Sequence, residues 1–353
     1  MPAGAALLAD IGGTNVRFAL LDRGEIADIR ILPTAGYPDP ASAAQAYLKG
    51  RKIASAAFAI AAPPDNEPIS LTNSDWEFSR QALAADLGIA DLHIVNDFTA
   101  QALALPLLGP EDCRPIGPGR AVPAAPMAVL GPGTGLGVSG LVPDGNAWIP
   151  LSTEGGHVTL PARTPEEDAV IAWLRERFGH ISAERALSGP GLVNLMNAIS
   201  GIDGNANPCT APAEVTAAAA AGDPQAVRAV SMFCEFLGTV AGDIALTFGA
   251  AGGIYISGGI VRFPRPVRRQ GAVFGLSARH PDLRRHRALP GADRAPVSVH
   301  AGLGKLSPRR QRLRSWPARR RRSSPIICRC RHRPARRGPN NPSCRRPATP
   351  RAG

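Results

Sequence analysis

At 353 residues with six scattered cysteines, the chain is long enough for two cores and has no paired disulfide framework, which fits a reduced cytosolic setting. Its net charge of +12 averages two unlike parts: residues 1–261 hold 14 Lys and Arg against 26 Asp and Glu, while residues 262–353 hold 26 basic residues, 25 of them Arg, against two acids. No basic segment precedes the short apolar run that Asp10 interrupts, so no signal peptide is expected, and Leu237 to Val261, with Asp243 and several glycines, reads as buried core and not as a membrane span.

Ala5 to Leu8 is an apolar strand that delivers Asp10 to the turn Ile11-Gly12-Gly13-Thr14, after which Val16 to Leu21 resumes a strand pattern. Paired glycines leave backbone N–H groups open to a phosphate, Thr14 adds a hydroxyl, and a carboxylate beside a phosphate is useful if it holds a divalent cation. Ile26 to Leu32 predicts a third strand, Ala41 to Lys52 a helix, and Ile53 to Ala62 a buried strand stopped by Pro63-Pro64. Ser79 caps a helix over Arg80 to Leu87, closed by Gly88. The strand Leu92 to Val95 runs into Asn96-Asp97, and Phe98 to Leu105 reads as a helix for which Asp97 is the expected N-cap. Strands alternating with helices indicate an α/β domain with Asn96-Asp97 at the carboxyl end of a strand, where such sheets bind ligands.

Gly109 to Pro126, rich in Pro and Gly, is the expected crossing between domains. Met127 to Leu130 then opens a second strand-turn-strand with Gly131-Pro132-Gly133-Thr134-Gly135-Leu136-Gly137 as its turn. Gly135, Gly137 and Gly140 match the dinucleotide fingerprint formally, but Pro143-Asp144-Gly145 supplies a hairpin turn where that fingerprint needs a helix. Two such hairpins suggest a duplicated core gripping one ligand from both sides. Further on, Thr164 with Glu167 opens a helix, Leu192 to Ile199 forms another, and Ala213 to Phe248 is helical with a break near Gly222-Asp223-Pro224. Gly253 to Val261 is again a strand ending in paired glycines.

The motifs Asp10-Ile11-Gly12-Gly13-Thr14-Asn15, Asn96-Asp97-Phe98-Thr99-Ala100, Gly133-Thr134-Gly135-Leu136-Gly137, Glu154-Gly155-Gly156-His157, Ser182-Ala183-Glu184-Arg185 with Leu187 to Gly191, and Ser257-Gly258-Gly259-Ile260-Val261 resemble, in type and order, the bacterial ATP-dependent glucokinase family. The resemblance covers about residues 5–261. It implies an α/β, two-domain fold of the actin-like, ribonuclease-H-like group with an interdomain cleft, divided here as 1–108, 109–261 and an aberrant tail, 262–353. It implies Asp97 as the base toward the 6-hydroxyl of glucose, and Asn96, Asp97, Glu154, His157 and Glu184 as sugar ligands, with Asn73 a further candidate. Ala9, Asp10, Ile11, Gly12, Gly13 and Thr14 resemble the first phosphate hairpin, Gly133, Thr134 and Gly135 the second, and Gly258 and Gly259 the adenosine-side turn. ATP and Mg²⁺, the metal near Asp10, are the implied cofactors, and a cytosolic homodimer without membrane or nucleic-acid partners is the implied setting. Two acids in the sugar set favour a polyol over the carboxylate substrate of an acetate-kinase-like enzyme; the non-catalytic alternative is a sugar-binding protein that uses its basic tail on nucleic acid.

From Arg262 the pattern breaks: 13 prolines accompany the 25 arginines of residues 262–353, a composition that predicts disorder. The abrupt change after an intact motif motivates the hypothesis that this tail is a frameshifted reading of the original coding region; a gene in which no single-base change restores a family-like ending would refute it. Cys328 and Cys330 lack a matched second pair, so no zinc site is assigned. If a normal ending covers an apolar face of the first domain, this chain leaves that face open.

Overall fold

The strands β1 (Ala6–Ile11), β2 (Asn15–Asp22) and β3 (Glu25–Pro33) form an antiparallel meander, followed by α1 (Pro40–Leu48), β4 (Ser55–Ile60), the short pair β5 (Ile69–Ser70) and β6 (Glu77–Phe78), α2 (Arg80–Asp86) and β7 (Asp91–Asn96). This is a computed structural model, and it describes residues 4–71, 74–116, 119–205 and 208–258, with the backbone of 299–301. Asn73, Gly259 and most of residues 262–353 lie outside the described residues.

Next come α3 (Asp97–Ala104), β8 (Arg114–Ile116), β9 (Met127–Pro132), β10 (Leu136–Asp144), β11 (Ala147–Thr153), α4 (Pro165–Phe178), α5 (Gly189–Ile202), α6 (Pro212–Ala221), α7 (Pro224–Phe248), β12 (Gly253–Ile256) and β13 (Val299–Ala301). The first sheet has the order β3-β2-β1-β4-β7 and the second β11-β10-β9-β12-β13-β8. In both, an antiparallel meander is extended by parallel strands, β4 and β7 in the first, β12 and β13 in the second. One topology is therefore built twice, which is the actin-like arrangement. The segment 109–126 is more than a crossing, because β8 within it pairs with β13.

The tail also departs from expectation at one point. Val299 to Ala301 pairs in parallel with β12, whose backbone groups on that side need partners, and a three-residue Val-His-Ala stretch free of proline can supply them.

Local chemistry explains the elements that frame the site. In β1, Leu7, Ala9 and Ile11 are buried and Asp10 is exposed, the period-two alternation of a strand with one covered face. That covered face meets α1 through Tyr47, whose ring stacks on Phe18 with centroids 5.2 Å apart. On the opposite face, Ala6 and Leu8 of β1 and Ser55, Ala57 and Ala59 of β4 are only half-buried. β9, by contrast, is buried throughout: Ala128 and Leu130 enter the core built by α4 to α7, while Met127 and Val129 enter a smaller core with Ala102 and Leu105 of α3. α7 is long and apolar enough to cross a bilayer, and Phe233, Phe236 and Leu237 place it inside that larger core. α3 thus follows a strand of the first sheet yet packs on β9, β10 and β11 of the second.

Candidate active site

Register brings the first group of residues to one edge. Ile11, Ile60 and Asn96 stand in line across β1, β4 and β7, so the Gly12-Gly13 hairpin and Asp97 lie at the same carboxyl end, two strand spacings or about 10 Å apart. Asn96, not Asp97, is the N-cap of α3. Its Oδ1 accepts from the N–H of Phe98 at 2.9 Å and of Thr99 at 3.3 Å, because β7 extends through Asn96 and places Asp97 inside the first turn. Asn96 is left with its amide Nδ2 as donor, and that side chain also hydrogen-bonds the neighbouring Asp97 carboxyl. Asp97 Oδ1 accepts from Phe98 N–H at 2.9 Å. Burial pushes the Asp97 carboxyl above its ordinary value, the Phe98 N–H opposes this, and the charge of Asp10 adds to the rise.

Asp10 faces Arg17 across β1 and β2, with Oδ2 2.6 Å from Nη1 and both side chains 54% exposed. Such an exposed pair contributes about 0–1 kcal/mol, little enough to yield to a ligand. Ala9 and Ile11 point into the first core, so only their backbones are available to the hairpin. The Gly12 N–H donates to the Asn15 carbonyl at 3.0 Å and closes the turn, and Thr34 Oγ1 donates to the Gly13 carbonyl at 2.8 Å. In the second hairpin Gly133 N–H likewise donates to the Gly135 carbonyl at 2.8 Å. The glycines therefore shape both turns, and not all of their amides remain open to a ligand.

Leu136 is where the second group meets. Its N–H donates to Glu184 Oε2 at 2.8 Å. Gly156, in the turn between Glu154 and His157, lies directly on the Leu136 carbonyl, where any Cβ would collide. Glu154 Oε2 and His157 Nε2 are 3.9 Å apart and largely exposed, ready to meet a polar ligand. Gly258, with φ of 103°, sits on the Pro132 carbonyl and joins the end of β12 to the second hairpin.

α3 ties the two groups together. Phe98 packs on Gly131 and Gly137, Thr99 Oγ1 is 2.9 Å from Ser152 Oγ, and Ser257 Oγ is 2.5 Å from Gln101 Oε1. Sequence reading missed Arg17, Ser152 and Gln101 as parts of this site. Strand register could have paired Arg17 with Asp10, whereas the partners of Thr99 and Gln101 lie 53 and 156 positions away.

Among the described residues no group of three His, Cys, Asp or Glu side chains gathers to hold a metal. A lone exposed carboxylate beside a glycine hairpin nonetheless suits a Mg²⁺ that arrives on phosphates, since that ion commonly takes one or two carboxylates and keeps waters.

A family model described as Glucokinase matches residues 7–271. The chain belongs to the glucokinase family. The match runs past the break in pattern at Arg262. A glucokinase of Nitrobacter hamburgensis is 48% identical over 260 residues, covering 72% of this chain and 81% of that protein. One of Stenotrophomonas maltophilia is 41% identical over 319 residues, 84% of this chain and 92% of its own. Among solved structures, a glucokinase from an Antarctic psychrotroph superimposes with a TM-score of 0.73 at 31% identity, covering 86% of this chain and 95% of that one.

Proposed function

We propose that this chain transfers the γ-phosphoryl group of ATP to the 6-hydroxyl of glucose, with Asp97 as general base. The observation that carries this reading is the position of Asp97: it heads α3, half-buried, at the same sheet edge as the Asp10 hairpin, with burial raising its carboxyl above the ordinary value. Phosphoryl transfer asks the protein chiefly to align a nucleophile and to stabilise charge. Asp97 accepts the hydroxyl proton, while Asn96, Glu154, His157 and Glu184 hold the remaining hydroxyls through paired donors and acceptors. Because the Asn96 carbonyl is spent on α3, its Nδ2 donates, and the hydroxyl it meets must accept.

The two hairpins, Ala9 to Thr14 and Gly133 to Gly135 with Gly258 and Gly259, bracket the nucleotide by this reading. The Gly13 and Thr14 amides are the natural phosphate donors once the Gly12 amide has closed the turn. Asp10 would hold Mg²⁺, which when bound neutralises charge on the ATP phosphates. We read the enzyme as cytosolic and homodimeric, with its lobes at 1–108 and 109–261.

A coupled assay of ATP turnover on the purified chain, with and without glucose and with Asp97→Asn beside it, tests the reading. Glucose-dependent turnover abolished by the substitution supports it. Turnover that survives Asp97→Asn overturns Asp97 as base, and glucose-independent turnover overturns the substrate.

A further inference from the structure

We propose that Gln101 is a positioning residue for phosphoryl transfer: through Ser257 it locks the helix that carries Asp97 to the end of β12, so that nucleotide bound there steadies the base. The proposal rests on the kinase reading above and deepens it. Gln101 lies four residues after Asp97 on α3, hence one turn further along the same face. Its Oε1 is 2.5 Å from Ser257 Oγ. Ser257 is buried and cannot follow a moving helix, because its own N–H donates to the Leu130 carbonyl at 2.9 Å and so fixes it to β9.

The contact is built and not incidental. A Cβ on Gly131 would fall 2.6 Å from Ser257 Oγ and 2.7 Å from Phe98 Cζ, so the bare backbone of Gly131 makes room for both partners at once. Phe98, next in sequence to Asp97, and Gln101, one turn on, are thereby seated on the same spot of β9. The next residue, Gly258, rests on the Pro132 carbonyl at the start of the second hairpin. A nucleotide seated against this turn bears on the fixed Ser257, and through Gln101 it narrows the positions open to the Asp97 carboxylate. A base held within a fraction of an ångström of its productive position is worth orders of magnitude in rate. By linkage, whatever α3 gains from nucleotide, nucleotide gains from α3.

The test uses the full chain and the non-hydrolysable analogue AMPPNP, with Gln101→Leu, Ser257→Ala, the double variant and Gln101→Glu. AMPPNP is expected to slow amide hydrogen exchange along α3 in the unsubstituted protein, and to slow it no longer in Gln101→Leu or Ser257→Ala although both still bind the analogue. Gln101→Glu keeps an acceptor for the Ser257 hydroxyl and restores the protection. In turnover, kcat falls about tenfold in either single variant with the glucose KM within about twofold, and the double variant falls no further, since one interaction is lost in all three. Equal protection in the unsubstituted protein and both single variants overturns the proposal, as does absence of protection in the unsubstituted protein. Ser257→Ala removes a single oxygen and decides the matter if Gln101→Leu does not fold. Turnover that persists in Asp97→Asn would instead defeat the kinase reading, which separates the two failures.

Discussion

The ring of Phe98 lies against Gly137, so closely that no side chain on residue 137 could share the space. Phe98 follows Asp97 directly, so this contact between a helix that begins at the first sheet and a strand of the second sets the depth at which Asp97, the proposed base, sits. Gly137→Ala is expected to push α3 outward, to cost about 1–3 kcal/mol in overpacking and to lower kcat by at least tenfold. Chemical denaturation and turnover measured on the same preparation check it. A variant with normal kcat would show that α3 tolerates displacement.

Asp97 carries a cost to the fold. Its folded carboxyl is raised above the ordinary value, chiefly by burial, so the folded state holds the proton more tightly than the unfolded one. The stability associated with the protonated form is present below the unfolded value and lost as pH rises through the folded one. Asp97→Asn is therefore expected to raise the melting temperature at pH 7 while lowering turnover by about 10²–10⁴. Melting curves at pH 4 and pH 7 test the sign, for the gain should shrink in acid. Removing the Asp10 charge by Asp10→Asn should lower the Asp97 value, read by carbon-13 titration of its carboxyl.

Glu184 has an engagement that a sugar ligand does not require, its acceptance of the Leu136 N–H at the exit of the second hairpin. Glu184→Gln keeps an acceptor there and Glu184→Ala does not. Both should raise the glucose KM, whereas the ATP KM should rise several-fold only in the alanine variant, because a buried amide left without a partner lets the hairpin rearrange. Parallel titrations of glucose and ATP distinguish this from a purely sugar-binding role, in which the ATP KM would stay level in both.

Asn96 caps α3, and the sugar-binding task proposed for it can be separated from the cap by substitution. Asn96→Asp keeps the cap on α3 and removes the Nδ2 donor; Asn96→Ala removes both. The aspartate variant should melt near the unsubstituted protein yet bind glucose more weakly, and the alanine variant should also lose about 0.5–2 kcal/mol. Equal melting of the two variants would contradict the cap.

Much of this arrangement could be read from local chemistry. Thr164 and Glu167 form their capping box, Ser79 caps α2, and both hairpins are strand-turn-strand, because each depends on residues within a few positions of one another. The family motifs likewise announce themselves along the chain. The cap of α3 was expected at Asp97 and falls on Asn96, because β7 runs one residue further than the sequence pattern indicates. The pairing of Val299 to Ala301 with β12 was hidden by a composition that argues against order on average but not at three particular residues.

By itself, the sequence determined most of the elements, their turns and caps such as Ser79 and Thr164, and the identity of the groups able to do chemistry, since these follow from side-chain type and short-range spacing. Only the tertiary structure decided where α3 docks. Phe98, Thr99 and Gln101 find Gly137, Ser152 and Ser257 across 39, 53 and 156 positions, and no local rule selects partners so distant. What selects them is shape and hydrogen bonding: a ring needs bare backbone to lie on, and a buried hydroxyl needs a partner.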